Sequence, residues 1–323
     1  MIKLKKITKI YKTQSNIVKA INLLKKQDSN TNRGIKALDN VSFFVNDSEI
    51  IGLIGPNGAG KTTAAKIISG LLFPTSGTVK VDDENPLNLS KSFKLNFALH
   101  RSDVYMLDDN VIIRDAINSH LSIYSKPDIQ NNDFLKNLIE ILDAKDLLNR
   151  IPNELSKGQR TLMEFLNAIS HEPKNIILDE PMNGLDILAI QRFNSALTYL
   201  KQNCTASIII TSHNLDTISK ISDRIILINK GKVMLDGTTL EILKKETGIR
   251  IITITLDNLN NNLKFENLKQ YGEVTIDKNI INIKTKKKNI KSLLKEIINN
   301  YQITDLTINE PPIEEIFAKY YKK

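Results

Sequence analysis

Gly55-Pro56-Asn57-Gly58-Ala59-Gly60-Lys61-Thr62 is the stretch from which the rest of the chain is read. It meets every constrained position of G-x-x-x-x-G-K-[ST], the pattern of a phosphate-binding loop. The flanks agree with it. Glu49-Ile50-Ile51-Gly52-Leu53-Ile54 is a short apolar run of strand length, and after Thr62 apolar residues recur at helical spacing at Ala65, Ile68 and Leu72. Strand, glycine-rich turn and helix is the setting in which such a loop works. A triphosphate needs many donors at close range. Gly58 and Gly60 lack a Cβ, so the backbone can take positive φ and approach the oxygens. The loop N–H groups and the positive end of the following helix form an anion cradle. Lys61 adds a full charge beside the β- and γ-phosphates, and the Thr62 hydroxyl can ligate Mg²⁺.

Working outward, the composition sets bounds. With 323 residues, 41% apolar and 25% charged, the chain reads as a globular protein of one large or two modest domains. No apolar run approaches the ~18–20 residues of a membrane helix, and Met1 to Lys6 has no secretory apolar core. Cys204 is the single cysteine, so no internal disulfide forms, which fits a reducing compartment. The net charge of +9 is spread along the chain. Its densest cluster, Lys284 to Lys288, reads as a solvated turn, and no nucleic-acid partner is expected.

Taken in order, Lys3 to Tyr11 reads as a strand, with the Tyr11 ring able to stack on a base. Ile17, Ala20, Ile21 and Leu24 form a helical stripe in an insertion before the next strand, Ala37 to Val45. From Val111 to Leu148 the pattern is mostly helical, within a helical subdomain expected over about 104–170. Leu155-Ser156-Lys157-Gly158-Gln159-Arg160 opens a further helix, a second arrangement suited to an anion. Asn175-Ile176-Ile177-Leu178-Asp179-Glu180 is an apolar strand ending in two carboxylates. Downstream of a phosphate loop, Asp179 is placed to hold a Mg²⁺ shell and Glu180 to orient or deprotonate water. Ser207 to Thr211 is another strand, leading into Ser212-His213 at the rim where open α/β sheets bind ligands.

The order of phosphate loop, Leu155-Ser156-Lys157-Gly158-Gln159, strand-Asp179-Glu180, Gly184-Leu185-Asp186 and His213 closely resembles the ATP-binding subunit of ABC transporters. The resemblance covers roughly Ile2 to Leu243. More narrowly, the chain looks like the exporter-type (ABC-2) ATPases, with an N-terminal insertion and a C-terminal extension. It implies an α/β P-loop NTPase (ABC ATPase) core with a helical subdomain. It also implies roles for matching residues. Tyr11 stacks on adenine. Gly55, Pro56, Asn57, Gly58, Ala59, Gly60, Lys61, Thr62 and Thr63 hold the phosphates. Thr62 and Asp179 hold Mg²⁺ through ATP, Glu180 is the catalytic base, and His213 contacts the γ-phosphate. Ser156, Lys157, Gly158 and Gln159 complete the site in trans on a second ATPase subunit, and Asp186 communicates across that interface. ATP and Mg²⁺ are the implied cofactors. The implied partners are transmembrane permease subunits and a second ATPase subunit, in a homodimer or heterodimer. The implied location is cytoplasmic, peripheral on the inner face of the membrane. The alternative class is a soluble ABC ATPase acting on ribosomes or nucleic acid. A third reading, a binding-only subunit, is opposed by intact Lys61, Asp179, Glu180 and His213.

The pattern departs from the family at one functional position. A glutamine is expected between the phosphate loop and Ser156, and Leu99-His100-Arg101-Ser102-Asp103-Val104-Tyr105 contains none. Counting from the preceding strand gives His100, and counting back from Ile113-Arg114-Asp115 gives Asp103. Composition shifts after Glu246-Thr247-Gly248, which divides the chain into an ATPase domain over 1–247 and an accessory domain over 248–323. The second part reads as β-α-β-β-α-β, a small ferredoxin-like α+β domain, followed by a final helix carrying Ile313, Ile316 and Phe317.

Overall fold

The computed structural model describes residues 1–11, 34–213, 215–246, 248–256 and 266–321. The helix expected over Ile17 to Leu24 and the first part of one expected over 259–271 lie outside these residues. The chain divides into two compact units, Met1–Gly237 and Thr238–Lys323. The division falls ahead of the expected boundary at 247, because the helix Thr239–Glu246 belongs with the second unit.

The first unit begins with β1 (Ile2–Tyr11), β2 (Ile35–Val45) and β3 (Ile50–Ile54). Next come α1 (Lys61–Ile68), β4 (Ser76–Val81), α2 (Lys91–Leu95) and β5 (Phe97–Arg101). Three helices follow: α3 (Ile113–Ile123), α4 (Asp133–Ile141) and α5 (Lys157–Ile169). Then come β6 (Asn175–Asp179), α6 (Ile187–Cys204), β7 (Ser207–Ser212), α7 (Leu215–Ile221), β8 (Arg224–Asn229) and β9 (Lys232–Gly237). β1, β2 and β4 form an antiparallel sheet in the order β2-β1-β4. The other strands form a six-stranded sheet in the order β5-β6-β7-β3-β8-β9. It is parallel except for β9, which pairs antiparallel with β8.

Why these segments are central strands is plain from their residues. β3, β6 and β7 are buried along their whole length and rich in isoleucine. Strands covered on both faces need continuous apolar runs, and branched side chains suit the pleat. α1 supplies the bridge between the sheets. Its Ala64, Ala65, Ile67 and Ile68 share one core cluster with Ile2, Leu4 and Val41 of the antiparallel sheet and with Ile177, Ile209 and Ile226 of the parallel one. Each fully buried isoleucine contributes ~1.5–3 kcal/mol, so the phosphate-loop helix is anchored by its apolar side in a fully buried cluster. The segment between β5 and β6 is helical, with Ile113, Ile117, Leu121, Leu135 and Leu138 fully buried.

The second unit runs α8 (Thr239–Glu246), β10 (Ile249–Leu256), α9 (Glu266–Lys269), β11 (Gly272–Asp277), β12 (Ile280–Lys286), α10 (Ile290–Asn300), β13 (Ile303–Asn309) and α11 (Ile313–Tyr321). Its four strands pair antiparallel in the order β11-β12-β10-β13. Alternate residues Ile252, Ile254 and Leu256 join Ile281, Ile283, Leu293 and Ile297 in a separate core. Two β-α-β crossings thus share one apolar face.

Candidate functional site

The site is assembled at the carboxyl ends of the parallel strands, where open α/β sheets bind ligands. The loop leaving β3 turns into α1 with Gly58 at φ 78° and Gly60 at φ 110°. Gly55 is needed for a different reason. A Cβ there would stand 2.1 Å from the Ile228 carbonyl oxygen of β8, so only glycine lets the loop cross that strand. Lys61 is the first residue of α1 and is almost fully buried. Its Nζ donates to the Gly55 and Pro56 carbonyls at 2.7 and 3.3 Å. It also stands 3.5 Å from Glu180 Oε1.

The carboxylates come from the end of β6. Thr62 Oγ1 donates to Asp179 Oδ1 at 3.2 Å, and the Thr211 hydroxyl of β7 donates to the same oxygen. Thr211 Oγ1 also accepts from the Glu180 N–H at 3.0 Å. Glu180 takes a left-handed backbone, φ 53°, unusual for a residue with a side chain and a form of strain that gathers at functional sites. Its Oε2 lies 2.9 Å from His213 Nδ1. One carboxylate is therefore aimed between Lys61 and His213.

Beside the loop lies a cleft of about 360 Å³, lined by Tyr11, Ile35, Ala37, residues 57–63 and Glu180. That volume is within the ~300–1,000 Å³ of small-molecule sites. Tyr11 is 40% exposed and has the Lys9 ammonium 5.4 Å from its ring centre. The donor set fits a Mg²⁺-bound polyphosphate: N–H groups and an ammonium for the phosphates, and an adjoining hydroxyl and carboxylate for a hard cation.

The remaining expected residues are placed as follows. Ser156 caps α5. Its Oγ accepts from Gln159 N at 3.2 Å while Gln159 Oε1 accepts from Ser156 N at 3.0 Å. Gly158 lies against the Gly184 carbonyl, and Lys157 packs over Gly184, which has φ 84°. Asp186 caps α6, accepting from Ala189 N at 2.7 Å. None of Ser156, Lys157, Gly158, Gln159 or Asp186 lines the cleft beside the phosphate loop. His100 is buried, and its ring lies edge-on to Phe165 of α5. Burial holds its imidazole neutral, pushing the pKa down to about 4. Asp103 is exposed and pairs with Arg101 at 2.7 Å. Burial pushes the Cys204 thiol up to about 11, as expected of a packing residue.

Sequence reasoning missed Thr211, Ile35 and Ala37. Thr211 was visible only as the last residue of an apolar strand. Ile35 reaches the cleft because it pairs with Tyr11 across the antiparallel sheet, a register hidden by the residues between them.

Comparison with known proteins places this geometry. The family model described as ABC transporter matches residues 38–183. The energy-coupling factor transporter ATP-binding protein EcfA2 of Clostridium perfringens is 32% identical over 216 residues, 65% of this chain and 75% of that protein. The lipopolysaccharide export system ATP-binding protein LptB of Escherichia coli is 28% identical over 221 residues, 66% of this chain and 89% of that protein. A solved ATP binding subunit of an ABC transporter superposes with a TM-score of 0.63 at 24% identity, over 76% of this chain and 92% of that one. The chain spans only 59% and 56% of the length of two further curated relatives. With the fold, the loop and the relatives in agreement, this chain belongs to the ABC transporter family and carries that family's ATP-binding domain.

Proposed function

We propose that this chain binds and hydrolyses ATP as the ATPase subunit of an ABC-type exporter of the ABC-2 kind, driving separate membrane subunits. One observation carries the hydrolytic part. Glu180 is held in a left-handed turn by Thr211 with one carboxylate oxygen near Lys61 and the other near His213. A carboxylate so positioned beside a phosphate cradle serves as base or orienter for an attacking water. Lys61 is drawn from the Gly55 and Pro56 carbonyls to the phosphates. Thr62 and Asp179, already hydrogen-bonded to each other, would hold Mg²⁺, which would neutralise charge on the phosphate oxygens.

Ser156, Lys157, Gly158 and Gln159 are kept for a second subunit, because they lie outside their own chain's cleft. ATP then sits between two such chains, and hydrolysis lets them part, moving membrane partners between states. No helix among the described residues is long and apolar enough to cross a membrane. It is the family resemblance that assigns the membrane path to other subunits and this chain to the inner face. Support for export comes from the C-terminal resemblance over Ile303 to Phe317; the relatives are named for both import and export. The second unit is read as a ferredoxin-like accessory domain. Its strand order and its β-α-β-β-α-β path support this.

Glu180→Gln tests the chemistry. Turnover is expected to fall by ~10²–10⁴-fold with ATP binding retained, and an ATP-bound dimer should accumulate on gel filtration. Turnover equal to wild type would remove Glu180 as the base. Copurification from detergent-solubilised membranes tests the assembly. A stoichiometric polytopic protein supports the transporter reading, whereas recovery with ribosomes or nucleic acid favours the soluble ATPase class.

A further inference from the structure

We infer that Arg101 faces the nucleotide and binds the terminal phosphate of ATP, so that this chain distinguishes ATP from ADP partly through one guanidinium. The inference rests on the reading of the site as an ATP site.

The placement follows from strand register. β5 runs parallel to β6, with Leu99 opposite Ile177 and Arg101 opposite Asp179. Residues opposite one another on neighbouring strands share a face, and the face alternates along each strand. Ile177 belongs to the core cluster around α1, and Leu99 packs against that cluster. Two residues further on, Asp179 meets Thr62 in the first turn of α1. Arg101 therefore lies on the face that carries the phosphate-binding end of α1, one strand across from Asp179 and beyond the residues that line the cleft itself. His100, between Leu99 and Arg101, turns to the opposite face and meets Phe165.

The state of the side chain points the same way. Arg101 is only 21% exposed. One edge of the guanidinium is used: Nη2 donates to Asp103 Oδ2 at 2.7 Å. The Nε, on another edge, is buried and has no hydrogen-bond partner. The Nε is covered by protein, so the side chain must turn before the guanidinium can offer parallel N–H groups to a phosphate, and the missing acceptor favours that turn. Asp103 is 68% exposed, so water screens much of its charge and leaves the arginine cationic toward a second anion.

The strand end is also held firmly. Ser102 N donates to the Asp179 carbonyl at 3.2 Å. Beyond it, the Met106 and Leu107 N–H groups donate to the buried Glu164 carboxylate of α5. Arg160 of the same helix stacks on Tyr105, 3.8 Å from the ring centre. The backbone from which the side chain springs is thus fixed, which lowers the cost of ordering a specific contact. ATP offers a terminal phosphate to this face and ADP does not.

The test is displacement of a fluorescent nucleotide from the full chain by ATP and by ADP, in a Glu180→Gln background that preserves ATP. Arg101→Ala is expected to weaken ATP by ~10-fold or more and ADP by less than about twofold. Arg101→Lys keeps the charge without the fork and is expected to recover only part of the loss. Asp103→Asn is expected to weaken ATP less than Arg101→Ala. Equal changes for ATP and ADP, or no change, in Arg101→Ala and Arg101→Gln proteins that keep the parent's thermal unfolding profile would overturn the inference. They would reduce Arg101 to a brace for Asp103. Failure of the parent itself to bind either nucleotide would instead overturn the ATP reading, and this inference with it.

Discussion

At the scale of single residues, two positions illustrate different kinds of constraint. Gly55 is fixed by space, since an added Cβ meets a main-chain oxygen that cannot swing away. Gly55→Ala is expected to cost ~1–3 kcal/mol through overpacking and to weaken nucleotide binding, read by urea unfolding and by nucleotide titration. Unchanged values would mean that the loop and β8 separate freely. Lys61 is fixed by charge. Its ammonium is buried among two carbonyls and the Glu180 carboxylate. Lys61→Ala is expected to lower ATP affinity by ~10–100-fold, the usual worth of a charge-assisted contact. Nucleotide titration checks this, and an affinity within twofold of wild type would refute the role. Both residues were legible in the sequence because the loop pattern specifies residue types one by one. Thr211 was not, because a threonine ending an apolar strand has no signature of its own.

At the scale of elements, β5 shows how a strand sorts its side chains. Alternation sends Leu99 and Arg101 toward α1 and His100 toward α5. The pH dependence of stability should report that burial. The folded His100 pKa is lowered to about 4, below the unfolded value near 6.5, by desolvation. As pH falls below 6.5 the unfolded chain takes up a proton that the folded one refuses, so stability is lost between 6.5 and 4. At pH 5 the loss is about 2 kcal/mol from this residue. Replacing it, as in His100→Leu, should flatten the acid limb, seen as a urea midpoint that drops less between pH 7.5 and 5 than in wild type. An identical drop would show that the ring is reached by water. His171, likewise pushed down to about 4, falls in the same window and stays behind in the variant. Counting along the sequence could only offer His100 or Asp103 for the gap left by a glutamine. The choice of face needed the pairing of Arg101 with Asp179.

At the scale of the whole molecule, the two units have separate apolar cores, one around α1 and one between the second unit's sheet and helices. Separate cores imply separable local stability. Ile254→Ala, at a fully buried position of β10, is expected to cost ~2–5 kcal/mol. Amide hydrogen exchange should rise across residues 248–256 and 266–309 while β3, β6 and β7 stay protected. Equal deprotection of both units would show that they unfold as one. The boundary between them lies at Gly237 and the helix after it belongs to the second unit, a fact of packing that the composition shift after Gly248 does not carry.

By itself the sequence determined the phosphate loop, the acid-terminated strand and the family pattern, because those depend on residue types at fixed local spacing. It also determined the strands after Gly248 and the helix over Ile290 to Ile298, though not α8, since hydrophobic periodicity is local too. Only the tertiary structure decided what meets across the sheets. It brought Ile35 beside Tyr11, Thr211 onto both Asp179 and Glu180, and Arg101 to the phosphate-loop face. Those relations arise from strand register and from packing between distant segments, and no spacing along the chain encodes them.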